Sequence, residues 1–183
     1  MLRTILIYGV MAGIVVIVPM SLLMMNSDFA EGDHGAQSML TGYALMLLAF
    51  SLIFVGVKRY RDRRLGGVIR FVPALLTGLA ISAIGSLVYV IGWEITLAAT
   101  DYAFMNDYTA AALESARAKG VSAAELARLS DQMEGYKAIY ANPLARTAMT
   151  FVEPFPVGVI VSFVTAALLR NSRFLPARSV TPA

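Results

Sequence analysis

Four long apolar runs govern what this chain can become: roughly Ile5–Met25, Ser38–Val57, Phe71–Ala99 and Thr147–Leu169, with the charges gathered into the stretches between them. A helix rises about 1.5 Å per residue, so ~20 apolar residues cross a ~30 Å hydrocarbon core. Each run reaches that length. In lipid the backbone finds no water, so a spanning segment must satisfy its own N–H and C=O groups as a helix or within a closed barrel. A barrel would be written as short alternating segments, and none appears. The expected fold is therefore all-α, an integral membrane four-helix bundle. Composition agrees: 58% of the 183 residues are hydrophobic and 15% are charged. The first run reads as a retained span, because it exceeds a typical signal core and residues 26–30 (Asn-Ser-Asp-Phe-Ala) make a poor cleavage site.

Several function classes fall away early. The chain has no cysteine, which removes disulfides, thiolate metal sites and thiol nucleophiles together. It carries no HExxH, no glycine-rich phosphate loop and no GxSxG, and no aspartate falls within an apolar run. The chain is thus not expected to be an enzyme, and no cofactor is implied. The net charge of +3 comes mostly from Lys58, Arg59, Arg61, Arg63, Arg64 and Arg70. A short loop between two spans explains that block better than nucleic-acid binding does, since basic residues mark the cytoplasmic side.

The same rule threads the whole chain one way. Arg3 is inside; the loop with Asp28, Glu31 and Asp33 and no Lys or Arg is outside; Lys58–Arg70 is inside; 101–146 is outside; Arg170, Arg173 and Arg178 are inside. The expected organisation is one membrane domain over residues 1–171, with a flexible cytoplasmic tail at 172–183. Both termini are cytoplasmic and the lipid bilayer is the first partner.

Residues 101–146 are the only sizeable polar part. No Pro or Gly lies between Trp93 and Lys119, so the third span is expected to run on past the bilayer without a break. Gly120 predicts a helix stop, and Ser122-Ala-Ala-Glu125 predicts a capping box that starts the next helix. That helix carries Leu126, Leu129, Met133, Tyr136 and Tyr140 at alternating spacings of three and four, a coiled-coil-like seam. Pro143 ends it. Two arms of similar length, 101–119 and 122–141, suggest an external helical hairpin; an amphipathic arm lying on the bilayer is the alternative. Small residues recur within the spans, as in Gly9 and Gly13, Gly42 to Gly56 and Gly78 to Gly92. They read as ordinary helix packing ahead of a dimer seam or a pore lining.

Two carboxylates, Glu94 and Glu153, sit within or at the edge of apolar runs, where each needs a partner, a proton or water. Glu94 lies 24 residues after Arg70, which is about 36 Å along a helix and so at the headgroup level beside Trp93, an expected interfacial anchor with Tyr89 and Tyr102 near it. Glu153 lies 17 residues before Arg170, about 25 Å along and still within hydrocarbon. Pro154 and Pro156 cannot donate to the carbonyls of Thr150 and Val152, so freed carbonyls flank the Glu153 carboxylate. Such broken helices line cation sites in transporters, and Thr150, Ser162 and Thr165 could add oxygen ligands. Structural pairing stands beside this reading: Arg146 or Lys137 could bridge either glutamate. His34, the only histidine, is a weak candidate metal ligand, and no metal is expected.

The stretches at 8–13 (Tyr-Gly-Val-Met-Ala-Gly), 42–62, 136–144 (Tyr-Lys-Ala-Ile-Tyr-Ala-Asn-Pro-Leu) and 151–158 (Phe-Val-Glu-Pro-Phe-Pro-Val-Gly) resemble a family of small bacterial membrane proteins known only as a domain of unknown function. The resemblance covers nearly the whole chain. It implies four spans with a helical segment between the third and fourth, and it carries no activity. The expected role is a bacterial inner-membrane interaction protein that binds another copy of itself or a membrane-protein partner through its hairpin. Cation- or proton-coupled permeation through Glu153 is the alternative.

Overall fold

The apolar runs form long helices, in which each segment satisfies its own backbone polar groups without water. The computed structural model describes residues 1–25 and 36–177. Its elements are α1 (Leu2–Met25), α2 (Ala36–Arg64), α3 (Phe71–Ala99), α4 (Phe104–Ala118), α5 (Ala123–Ala141), α6 (Pro143–Val152) and α7 (Phe155–Leu169). Four segments are long and apolar enough to cross a membrane: Leu2–Met25, Leu40–Arg64, Phe71–Ala99 and Pro143–Leu169. The protein is a multi-pass helical bundle, with no strand among the described residues. The first loop and His34 lie outside those residues.

Helix α3 is the centre of the bundle. It packs on α1, α2, α6 and α7, while α1 and α7 occupy opposite flanks with α2 between them. The α1–α3 contact keeps one register over more than three turns. Gly9 faces Ile84, Gly13 faces Val88 and Gly92 faces Ile17. Ser21 Oγ lies 2.6 Å from Thr96 Oγ1 at the end of the same row. The two helices therefore run parallel. A Cβ on Gly13 would lie 2.7 Å from the Gly85 carbonyl oxygen and 2.5 Å from Val88, so the small side chains are what let the backbones meet. Gly78 packs on Ser162 and Gly56 on Tyr8 and Ile81, whereas Gly42 has nothing within 4 Å. The small-residue stripes are thus contacts within the chain, apart from Gly42.

The basic end of the bundle departs from a plain loop. Arg61 is fully buried. Its Nε donates to Asp62 Oδ1 at 2.7 Å, its Nη1 to the Phe174 carbonyl at 3.0 Å and its Nη2 to the Leu175 carbonyl. Lys58 also reaches Asp62, and Arg59 donates to the Tyr8 hydroxyl at 3.3 Å. Phe174 stands edge-on to Phe54 with ring centroids 6.3 Å apart. Within the segment expected to be a flexible tail from 172 onward, the Phe174 ring packs on Phe54 and the Phe174 and Leu175 carbonyls accept from Arg61, as a desolvated guanidinium needs acceptors. The Leu175 side chain itself is 50% exposed.

The third span does not run on. It stops at Ala99 through a Schellman turn in which Tyr102 N–H bonds the Leu97 carbonyl at 2.8 Å and Asp101 N–H bonds the Ala98 carbonyl at 3.4 Å. Asp101 takes φ 51° at the position glycine usually fills, and Tyr102 follows at φ 56°. Gly120, φ 70°, closes α4 in the same way. Ser122 and Glu125 make the expected capping box, and hydrogen bonds from Ser122 hold the Glu125 carboxyl below the usual carboxylate range. The arms are unequal, with 15 residues in α4 and 19 in α5.

We expect Gly13→Ala to lower the melting temperature of the detergent-purified protein, since overpacking of a tight contact costs about 1–3 kcal/mol. Gly42→Ala should leave it unchanged or slightly higher, because alanine favours the helix and meets nothing there.

Candidate functional site

The polar chemistry of the bundle gathers at the end opposite Arg61, where α3, α5 and α6 meet. Asn142 prepares it: its side chain accepts from Leu144 N–H and Ala145 N–H, and Pro143 occupies the first turn, so α6 starts sharply after α5. That start aims Arg146 back at α3. Arg146 Nε donates to Glu94 Oε1 at 2.7 Å and Nη2 to Glu94 Oε2 at 2.8 Å, a bidentate pair. Its Nη1 donates to the Tyr140 carbonyl at 3.0 Å. The guanidinium carbon lies 4.9 Å from the Tyr102 ring centroid and 5.8 Å from that of Tyr140. Each nitrogen of this cation makes a hydrogen bond.

An aromatic cluster surrounds the pair. Trp93 Nε1 donates to the Tyr140 hydroxyl, and the Trp93 indole stands edge-on to Phe104 at 5.1 Å. Phe104 also meets Tyr140 at 5.8 Å and Tyr108 at 6.0 Å. Burial raises the Tyr140 hydroxyl above its ordinary titration range, so it stays a neutral acceptor for the indole. Trp93 and Tyr89 are buried at 5% and 2% exposure, so neither is the surface anchor expected from its place in the chain. Tyr102, by contrast, is 49% exposed.

Glu153 lies about two turns further along. It caps α6 at the break before Pro154, and its Oε2 accepts from the Tyr89 hydroxyl at 3.2 Å. Among the described residues no basic side chain forms an ion pair with it. Lys137, expected to bridge one of the glutamates, instead binds Glu134 at 3.0 Å, its neighbour one turn back. The two carboxylates do not share a partner: Glu94 ends on Arg146 and Glu153 on Tyr89. Ser162 donates to its own helix at Gly158, and Thr150 to Arg146. Among the described residues no group of three His, Asp or Glu side chains is placed to hold a metal ion.

The α5 seam is partly used. Met133 is buried and Leu126, Leu129 and Tyr140 are half-buried, while Tyr136 is 41% exposed. Helices α4 and α5 pack on one another, each with one fully buried side chain, Thr109 and Met133. Sequence reasoning missed Tyr89 as the Glu153 partner and Tyr102 as the cover over Arg146. Both are aromatic residues near a span end, a pattern shared with simple interfacial anchors, so no local signal separated them.

Glu94→Ala should destabilise the protein by about 3–5 kcal/mol, since it leaves a buried guanidinium without its counter-charge. The Glu94→Ala, Arg146→Met double variant should recover a large part of that loss in a thermal melt. A double variant that melts no higher than Glu94→Ala would show that the unpaired guanidinium is not what destabilises the single variant.

No curated protein and no solved structure matches the chain. Residues 7–171 match the model of one family, described as protein of unknown function (DUF4199). With four candidate spans and a match over nearly its whole length, the chain belongs to the DUF4199 family.

Proposed function

We propose that this protein is a bacterial inner-membrane interaction protein that holds α4 and α5 outside the bilayer for a partner protein or a second copy, with both termini in the cytoplasm. The observation that supports this reading is the Glu94–Arg146 clamp with its aromatic surround. It ties the α4–α5 pair to the spans through Tyr102, Phe104 and Tyr140, at the point where the chain leaves α3 and where it enters α6. A loop that served only to connect two spans would need no such mount. A rigid mount gives a displayed element a fixed orientation, which lowers the ordering cost of binding.

Charge supports the orientation. Arg3, the Lys58–Arg64 run, Arg70 and Arg170 all fall at one end of the bundle, as expected of a cytoplasmic face. Of the seam residues, Met133 is buried and Leu126 and Leu129 are half-buried. Tyr136 and Ile139, at 41% and 45% exposure, are the apolar side chains of α5 left for a partner.

The absence of cysteine makes the test direct. A single cysteine at Arg128 should react with a membrane-impermeant maleimide in intact spheroplasts, and one at Arg63 only after permeabilisation. The reverse pattern would overturn the orientation. A photo-crosslinker at Ile139 should then give an adduct of discrete mass in cells, whereas one at the lipid-facing Leu48 should not. Equal behaviour at the two positions would remove the interaction reading.

A further inference from the structure

Ser86 Oγ is the one buried side-chain oxygen among the described residues with no hydrogen-bond partner. The residue is fully buried, on the central helix, in surroundings where an unpaired hydroxyl is costly. Serines in such helices ordinarily bond their own backbone, as Ser162 does here. Ser86 does not, and its place in the fold says what could lie before it.

Helix α3 runs antiparallel to the α6–α7 segment. Four residues before Ser86, Ser82 Oγ lies 3.5 Å from the Phe155 carbonyl; three residues after it, Tyr89 donates to Glu153. These positions form one stripe on α3, so Ser86 sits at the level between the two contacts, the level of the buried Pro154. At that level Pro154 leaves the Thr150 carbonyl without its helical donor. The Thr150 hydroxyl cannot replace it, because it already donates to the Arg146 carbonyl. The register therefore brings residues bearing a carboxylate, an orphan hydroxyl, a phenol and a freed carbonyl to the level of one break in the helix. Glu153 itself is exposed at the bundle surface.

We propose that this break is a binding site for a small alkali cation, with the Glu153 carboxylate and the Ser86 hydroxyl as ligands and the Thr150 carbonyl and Tyr89 hydroxyl completing an all-oxygen set. Hard oxygen donors suit such an ion, and broken helices in membranes supply carbonyls to cations in this way. One carboxylate balances one positive charge. A divalent ion would call for more acidic ligands, and the other nearby acid, Glu94, is committed to Arg146. The site goes beyond the interaction role and does not depend on where α4 and α5 lie. It also differs from the set expected from sequence, since its hydroxyls come from α3 and not from Ser162 or Thr165.

A proton competes with the cation for Glu153. The titratable groups around that carboxylate are Tyr89 on α3, Tyr140 on α5 and the Glu94–Arg146 pair nearer the end of the bundle. None is a free base. A hydrophobic carbodiimide reacts with protonated carboxyls in apolar surroundings, so a bound cation that displaces the proton protects Glu153. In the full-length detergent-purified protein, we expect a covalent adduct mapped to Glu153 by peptide mass. Sodium chloride should slow its formation several-fold relative to the same concentration of choline chloride. Ser86→Ala should keep the adduct and lose the sodium protection. Tyr89→Phe, which removes a different oxygen, should weaken the protection as an independent check. No adduct at Glu153, labelling indifferent to sodium at every pH from mildly acidic to neutral, or full protection retained in Ser86→Ala would each overturn the proposal.

Discussion

Close approach of the α1 and α3 backbones is the constraint on which the rest of the bundle depends. Within lipid there is no hydrophobic gain in bringing two apolar helices together, so contact must come from packing and polar bonds. Gly9, Gly13, Gly85 and Gly92 remove the side chains that would hold the helices apart, and Ser21 and Thr96 add a hydroxyl pair at the end of the row. With α1 seated on one face, α3 turns its other stripe, Ser82, Ser86, Tyr89 and Trp93, toward the α5–α7 side. The contacts of Tyr89 with Glu153 and of Trp93 with Tyr140 follow from that rotation.

The two glutamates illustrate how environment divides chemically identical groups. Glu94 meets a guanidinium that also donates to the Tyr140 carbonyl and lies near the Tyr102 and Tyr140 rings, and a charge held at so many points serves as a fixing point. Glu153 meets a single phenol and stands next to a helix that cannot close its own hydrogen bonds. Burial depth along the helix, the quantity that first separated them, turns out to matter less than which helix end faces them. Arg146 finds Glu94 because Asn142 and Pro143 set the angle at which α6 begins.

The spans, the Gly120 stop, the capping box and the proline break were all legible because each is written in a local pattern. The end of α3 was not. Its turn uses Asp101 where glycine is the usual sign, and the second left-handed residue, Tyr102, lays its ring beside Arg146. Nor could spacing tell Lys137 from Arg146 as the partner of a glutamate. Lys137 had a carboxylate one turn away on its own helix, and a flexible ammonium settles for the nearest one. Arg61 read as one member of a basic block; only the fold reveals that it points inward. Contacts between residues far apart in sequence carry no signature within either segment.

Arg61 also has a consequence for biosynthesis. Its side chain is sealed inside the bundle, yet two of its acceptors, the carbonyls of Phe174 and Leu175, lie more than a hundred residues downstream. While the second and third spans are being made, that guanidinium has Asp62 alone and must remain in water. It can enter the bundle fully only after the fourth span has crossed and the residues beyond it have left the ribosome. The basic end of this protein therefore closes late, and a chain cut short before Phe174 would carry four finished spans around a guanidinium left with Asp62 alone.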